Sequence, residues 1–303
     1  MWVYKDFDWH RELPKLAATR WRWVTLAVVA DILVYVCQGW RWSTLLSPLA
    51  QVSPWKTTQA IYIGLFANEI LPLRSGEVIR CYLQRRWTGL PLEVVLSSAL
   101  IERLLDGVWL ASGFWLISQF LELPRGLEEG SWALVGLLAV VGGLLTWAIL
   151  YKGHAHETLS RFRGGRVLQH VVDGVHTMGI SKSFPWTILL SLVYLALQVL
   201  PIYLLMIGYG LPLSAGAAVV VLVILRLGTI VPNAPGNVGT FQFLAIQGLR
   251  AVGVRKEDAT GFATFLFLVV TVPLLLAGFV ALLLTRMRLG DIHEEAHQTM
   301  SGK

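Results

Sequence analysis

Glu102, Arg103 and Asp106 lie in the middle of an apolar stretch, residues 92–121 (LEVVLSSALIERLLDGVWLASGFWLISQFL). On a helix, residues four apart stand one turn above each other, so Glu102 and Asp106 share a face with Arg103 beside them. If that helix spans a membrane, each charge costs on the order of 2.5 to 3.5 kcal/mol unless it is paired, hydrated or used. Two carboxylates on one face repel unless a cation sits between them, and Arg74, Arg80 and Arg226 from other segments are the candidates. The cluster therefore reads either as a structural ion cluster or as a proton or substrate path.

The run from Asn68 to Arg80 (NEILPLRSGEVIR) gathers Glu69, Arg74, Glu77 and Arg80. Arginine suits phosphate because its planar fork donates several hydrogen bonds and keeps its charge. On a helix begun near Ser75, Glu77 lies at the positive N-terminus and Arg80 one turn above Gly76 or Glu77, so Arg74 and Arg80 could flank one ligand. The alternative pairs Arg80 with Glu77 at i, i+3 and Arg74 with Glu69. The pattern Pro72-x-x-x-Gly76-x-Val78 recurs as Pro232-x-x-x-Gly236-x-Val238, each copy following an apolar segment. In each, Pro ends a helix and Gly permits a tight turn, which leaves backbone N–H groups at the next helix start. Such a start binds anions, and two of them reaching the midplane would suit a phosphate-bearing headgroup; tight interhelical turns at the surface are the other reading. Around the second turn, Asn233, Asn237, Thr240 and Gln242 add neutral donors and acceptors. Two single intramembrane charges must face the interior: Asp31 reads as a structural partner, and Arg226 as a candidate for the ligand cavity.

The elements that must position these groups are membrane helices. Of 303 residues, 55% are apolar and only 15% charged, where a soluble domain carries about a quarter charged residues. Segments near 23–40, 92–121, 132–151, 186–208, 214–231 and 259–285 reach the roughly 20 apolar residues that a crossing needs. Residues 58–72 and 237–253 are shorter or more polar, adjoin Pro/Gly turns and read as half-helices. The fold expected is all-α: a polytopic membrane bundle of about eight spans with two broken or re-entrant helix turns. Trp21, Trp23, Trp40, Trp42, Trp132 and Trp186 fit interfacial belts at segment ends. Lys and Arg in the N-terminal arm and in the loop 152–185, with Arg286 and Arg288, put both termini in the cytoplasm. The organisation expected is a cytoplasmic arm (1–22), one transmembrane domain (23–287) and a polar tail (288–303). Within the long loop, about 155–180, Leu168, Val171, Val172, Val175 and Met178 recur at amphipathic spacing, for a helix lying either on the inner leaflet or on the protein's own cytoplasmic face.

Several function classes find no support. Cys37 and Cys81 sit in or beside apolar segments, which leaves no disulfide framework or CxxC metal site. The first 22 residues lack the apolar run of a cleavable signal, so the first apolar segment is expected to stay as an anchor. His293-Glu294-Glu295-Ala296-His297 matches the zinc-protease pattern but lies in a polar tail with no apolar helix to support it, and reads as a chance match. His154 and His156 read as exposed loop residues. No nucleotide loop, Ser-His-Asp order or cysteine nucleophile stands out, and no cofactor, metal or nucleic-acid partner is expected.

The stretch EILPLRSGEVIRCYL (Glu69–Leu83) followed by SALIERLLDG (Ser98–Gly107), with PGNVGTFQ (Pro235–Gln242) later, resembles the lysylphosphatidylglycerol synthase transmembrane-region family, the flippase-like membrane domain. The P-x-R-x-G-E-x-x-R and E-R-x-x-D elements carry the resemblance, which covers nearly the whole chain. It implies lipid movement between leaflets and transfers Arg74, Gly76, Glu77, Arg80, Glu102, Arg103, Asp106, Pro235, Gly236 and Gly239 as substrate-site positions. Where the family's second signature often carries a double Gly and ends in Glu, Asn237 and Gln242 stand here. With no aminoacyl-transferase domain after the last span, the chain is not expected to make lysylphosphatidylglycerol. The function expected is a transporter or flippase for a phosphate-bearing lipid, whether phospholipid, aminoacylated or polyprenyl-linked, in the bacterial inner membrane. The alternatives are a non-catalytic membrane subunit that partners a glycosyltransferase or lipid-synthesis enzyme, and an intramembrane lipid-modifying enzyme that uses Glu102 or Asp106 as acid or base.

Overall fold

A computed structural model describes Pro14 and residues 17–71, 75–119, 165–228 and 237–285, with isolated helical positions between 132 and 146. Its continuous segments form α1 (Trp21–Leu46), α2 (Pro54–Ile70), α3 (Gly76–Thr88), α4 (Leu92–Ser118), α5 (Gly165–Gly179), α6 (Phe184–Tyr209), α7 (Ala215–Gly228), α8 (Thr240–Ala251) and α9 (Lys256–Thr285). No strand occurs among the described residues. Three helices are long and apolar enough to cross a bilayer: α1, α6 and α9. Helix α4 has the length, at 27 residues, but carries the Glu102–Asp106 charges at its middle. The expected span 214–231 is represented by α7, whose 14 described residues rise only about 21 Å. The expected span 132–151 falls largely outside the described residues, as do residues 288–303, His154, His156 and the His293–His297 tail motif.

Proline and short polar residues set several boundaries. Pro54 opens α2, where its missing N–H costs nothing, and Pro91 precedes α4. Helix α3 starts at Gly76 behind Ser75, at the position its sequence indicates, and carries Glu77 in its first turn and Arg85 and Arg86 in its last, each favourable to the helix dipole.

Two apolar cores divide the bundle. In the first, Trp42, Leu45 and Leu46 of α1 pack with Ile61 and Ile63 of α2, Ile79 and Leu83 of α3, Val95 of α4, and Val175 and Met178 of α5. In the second, Val24 and Ala27 of α1 pack with Leu205 of α6, Val221 of α7, Leu249 of α8 and Phe262 of α9. Helix α1 belongs to both cores and ties them together. The outer faces stay apolar as well: Val29, Leu33, Leu276 and Leu284 are exposed, an arrangement suited to lipid rather than water. Helix α5 resolves the two readings of the amphipathic segment. Val172, Val175 and Met178 are buried, and Gly174 lies against Val94 at the start of α4, so its apolar face is spent on the protein.

Each short helix folds back on its predecessor. A Cβ at Gly64 of α2 would sit 2.6 Å from the Gly76 carbonyl oxygen, so the α2 and α3 backbones touch. In the second hairpin a Cβ at Gly248 of α8 would meet Cα of Val221 in α7 at 3.1 Å. The two copies of the sequence pattern do not keep one register. Gly76 is the first residue of α3, whereas α8 begins at Thr240, one turn beyond Gly236. Asn237 (φ 48°) and Gly239 (φ 87°) adopt left-handed conformations that no helix continues, so α8 starts behind them.

Candidate functional site

Six ionised side chains from three helices form a continuous network. Helical spacing prepares it: Glu102, Arg103 and Asp106 stand on one side of α4, and Glu77 and Arg80 stand at i, i+3 on α3. Helix α1 supplies Arg41, which is fully buried. Its Nε and Nη2 donate to Glu102 Oε1 at 3.1 and 3.0 Å, Nη2 donates to Asp106 Oδ2 at 3.3 Å, and Nη1 donates to Asp106 Oδ1. Arg80 donates through Nε to Glu77 Oε2 at 2.7 Å and through Nη1 to Glu102 Oε2 at 3.1 Å. Arg103 closes the ring, with Nη2 3.0 Å from Glu77 Oε1 and Nη1 3.6 Å from Asp106 Oδ2. Three guanidiniums balance three carboxylates. Burial runs from Arg41 and Glu102, both inaccessible, to Glu77 and Arg103, whose side chains are 45% and 43% exposed.

Aromatic faces complete the buried end. Arg41 Cζ stands 4.5 Å from the Tyr194 ring centroid, and Arg80 Cζ 4.5 Å from that of Trp42. Trp42 is inaccessible and donates from Nε1 to Ser98 Oγ at 2.8 Å, so it is a core residue and not part of an interfacial belt. Trp21, Trp40, Trp132 and Trp186 are exposed. Trp42→Phe removes that hydrogen bond and weakens the seat of Arg80; we expect a loss of about 2 kcal/mol, read as a lower melting temperature in detergent.

Within the network Arg80 makes the i, i+3 pair with Glu77 that its spacing allows. Arg80 is 2% exposed, and two protein carboxylates hold its Nε and Nη1, while its buried Nη2 has no hydrogen-bond partner among the described residues. The helix starts are likewise capped from within, because Gly76 N–H donates to Asn68 Oδ1 at 2.9 Å and Gly239 N–H to Gln242 Oε1 at 2.7 Å. One amide at each helix start is thereby satisfied by a side chain. Arg41 escaped the sequence reading altogether. Arg74, Asn233, Pro235 and Gly236 lie outside the described residues.

A second locus adjoins the network. A cavity of about 200 Å³ opens among α1, α2, α6, α7, α8 and α9, with polar lining from Asp31, Tyr35, Asn68, Glu69, Gln198, Arg226, Asn237 and Thr271 and apolar walls from residues such as Leu222, Phe241 and Leu266. The two loci share helices: Gln198 stands one turn beyond Tyr194 on α6, and Arg41 lies about 15 Å along α1 from Asp31. Arg226 reaches this cavity from the end of α7, where its Nη2 donates to Gln198 Oε1. Asn237 Nδ2 donates to Glu69 Oε1 at 3.3 Å, which holds the segment that leads into α8 against the end of α2. Of the residues named from sequence, Gly76, Glu77, Arg80, Glu102, Arg103 and Asp106 thus meet in or beside the network, and Arg226 and Asn237 meet in the cavity. Gly239 and the buried Gln242 form the start of α8 beside the cavity wall. No group of three His, Cys, Asp or Glu residues able to hold a metal occurs among the described residues.

Comparison with known proteins places this geometry in a lineage. The chain is 23% identical over 293 residues to a UPF0104 membrane protein of Methanothermobacter thermautotrophicus, an alignment covering 86% of this chain and 78% of the relative. It is 22% identical over 294 residues to a UPF0104 membrane protein of Methanocaldococcus jannaschii, covering 89% of this chain and 87% of the relative. No solved structure matches. Residues 1–278 match the family described as the lysylphosphatidylglycerol synthase TM region, and the chain is an integral membrane protein belonging to that family.

Proposed function

We propose that this protein moves a phosphate-bearing lipid between leaflets, the headgroup passing through the cavity among α1, α2, α6, α7, α8 and α9 while the tails stay in the bilayer. The supporting observation is the polar lining of a cavity walled by apolar helices, with Arg226 at it and the Asn237–Glu69 contact joining the segment before α8 to the end of α2. Its volume, about 200 Å³, is below the roughly 300–1,000 Å³ of sites that enclose whole drug-sized ligands, and so suits a headgroup rather than a lipid. A phosphate oxygen accepts from a guanidinium with charge assistance, and the amides of Asn68, Asn237 and Gln198 supply neutral partners that let the headgroup leave again. The ion network takes the other part: it holds α1, α3 and α4 as one body against which the hairpin turns work. We place the protein in the cell membrane, with the Lys- and Arg-rich arm and loop in the cytoplasm.

The test is a leaflet-resolved assay in proteoliposomes with head-labelled phosphatidylglycerol. Arg226→Gln loses a charge-assisted contact, so movement should slow about tenfold or more while the melting temperature stays near that of the wild type. An unchanged rate in the folded variant would overturn the role of Arg226, and no movement by the wild type with any phosphate-bearing lipid would overturn the reading itself.

A further inference from the structure

Asp31 stands in the middle of α1, is 6% exposed and lines the cavity. No hydrogen bond or ion pair reaches its carboxylate among the described residues. That is an unusual state for an acid in a membrane helix, since an ionised carboxylate without donors is costly in a low dielectric. The charged and titratable groups around it are few. Tyr35 lies one turn along α1, with its ring 5.6 Å from that of Tyr62 on α2; Tyr62 is committed to the Ile32 carbonyl at 3.2 Å. Glu69 lines the cavity from α2, and Tyr194 of α6 belongs to the Arg41 contact. Helices α8 and α9 line the cavity with Thr271 and apolar side chains, and Asn237 lines it from just ahead of α8. The one cation lining the cavity among the described residues is Arg226, which interacts with Asp31 through space.

We propose that Asp31 is a proton-binding site that exchanges with the anion site at Arg226, so that an anionic headgroup and one proton occupy the cavity together. This rests on reading the cavity as a headgroup site. With the cavity empty of anion, the Arg226 guanidinium across the same cavity offsets part of the cost of an ionised Asp31 carboxylate. When a phosphate takes over that guanidinium, two negative groups share one low-dielectric space, and a proton taken up by the Asp31 carboxylate restores the balance. By reciprocity, acid conditions favour anion binding by the same factor. The step breaks no covalent bond of the lipid: one proton moves from solvent to a carboxylate oxygen and is released when the headgroup leaves. A pH gradient would then drive lipid movement in one direction.

Infrared difference spectroscopy on the purified full chain in maltoside detergent at one fixed neutral pH, with and without added phosphatidylglycerol, tests the exchange. The protonated-carboxyl band should grow about twofold or more on adding the lipid, vanish in Asp31→Asn, and lose its lipid dependence in Arg226→Gln. A band that ignores the lipid, survives in Asp31→Asn or is never seen would overturn the proposal. A parallel measurement in proteoliposomes under a pH gradient separates it from the transport reading. Wild type should build an unequal leaflet distribution of labelled phosphatidylglycerol, and Asp31→Asn should only equilibrate it. An infrared response without any lipid movement would sink the transport reading and leave the exchange standing; lipid movement with no infrared response would do the reverse.

Discussion

Glu102→Ala is expected to lower stability by about 3–5 kcal/mol, the range for removing one partner of a buried ion pair. Glu102 is inaccessible and accepts from both Arg41 and Arg80, so its loss leaves two buried guanidiniums facing each other across the space it occupied. Arg41 keeps Asp106, which is 17% exposed, and Arg80 keeps Glu77, which is 45% exposed, so each guanidinium retains only a more exposed carboxylate. The reference point is Arg103→Ala, which breaks pairs at the exposed end of the same network and should cost less than about 1 kcal/mol. Thermal unfolding in detergent reads both. Equal losses for Glu102→Ala and Arg103→Ala would show that burial does not grade the network. Replacing Glu102 and Arg80 together by methionines should recover much of the loss, because deleting both members of a buried pair is often neutral where deleting one is not.

The same network shows where sequence reading reaches and where it stops. Contacts within one helix were legible, since i, i+3 and i+4 spacing alone places Glu77 by Arg80 and Glu102 above Asp106. The start of α3 at Ser75 and the amphipathic α5 were legible for the same local reasons. Arg41 was not, because Trp40 and Trp42 on either side match an interfacial belt and α1 was expected to end near residue 40. The helix instead continues to Leu46, which carries Arg41 and Trp42 into the first core while Trp40 alone faces outward. A signal was present: Glu102 and Asp106 demanded a buried cation, and Arg41 has no acidic neighbour along its own segment to consume it. From sequence, Asp31 reads as a structural partner because its short side chain snorkels only with difficulty; the cavity it lines is built from six helices and leaves no local trace. The second hairpin misled in another way. Matching Pro and Gly suggested one shared register, but backbone conformation at Asn237 and Gly239 decides where α8 begins, and φ is not written in a spacing.

Gly76→Val is the second large effect expected, and it tests the contact that lets α3 present Arg80 to α4. A Cβ at Gly76 would run into the carbonyl oxygen of Gly64, with Asn68 Oδ1 at 2.6 Å and the Gly64 carbonyl carbon at 2.7 Å. Two of these atoms are α2 backbone and cannot rotate aside, so relief requires the two helices to separate. Helix propensity works the other way, since leaving Gly gains something under about 1 kcal/mol in a helix interior and less at its first residue. Overpacking typically costs about 1–3 kcal/mol, and a branched side chain against backbone belongs at the top of that range, so the clash wins. The separation also breaks the Asn68 cap on Gly76 N–H and strains the 3.1 Å Arg80–Glu102 bond, because Arg80 Cβ lies 3.0 Å from where a Gly64 Cβ would stand. Asn68 lines the cavity as well, so lipid movement should fall together with the melting temperature. Gly113→Ala supplies the opposite sign: its Cβ would meet only Leu195 Cδ2 at an ordinary 3.7 Å, so the propensity gain of up to about 1 kcal/mol should appear as a small stabilisation. Melting curves of the two variants that shift in the same direction would mean that the α2–α3 contact is looser than its geometry implies.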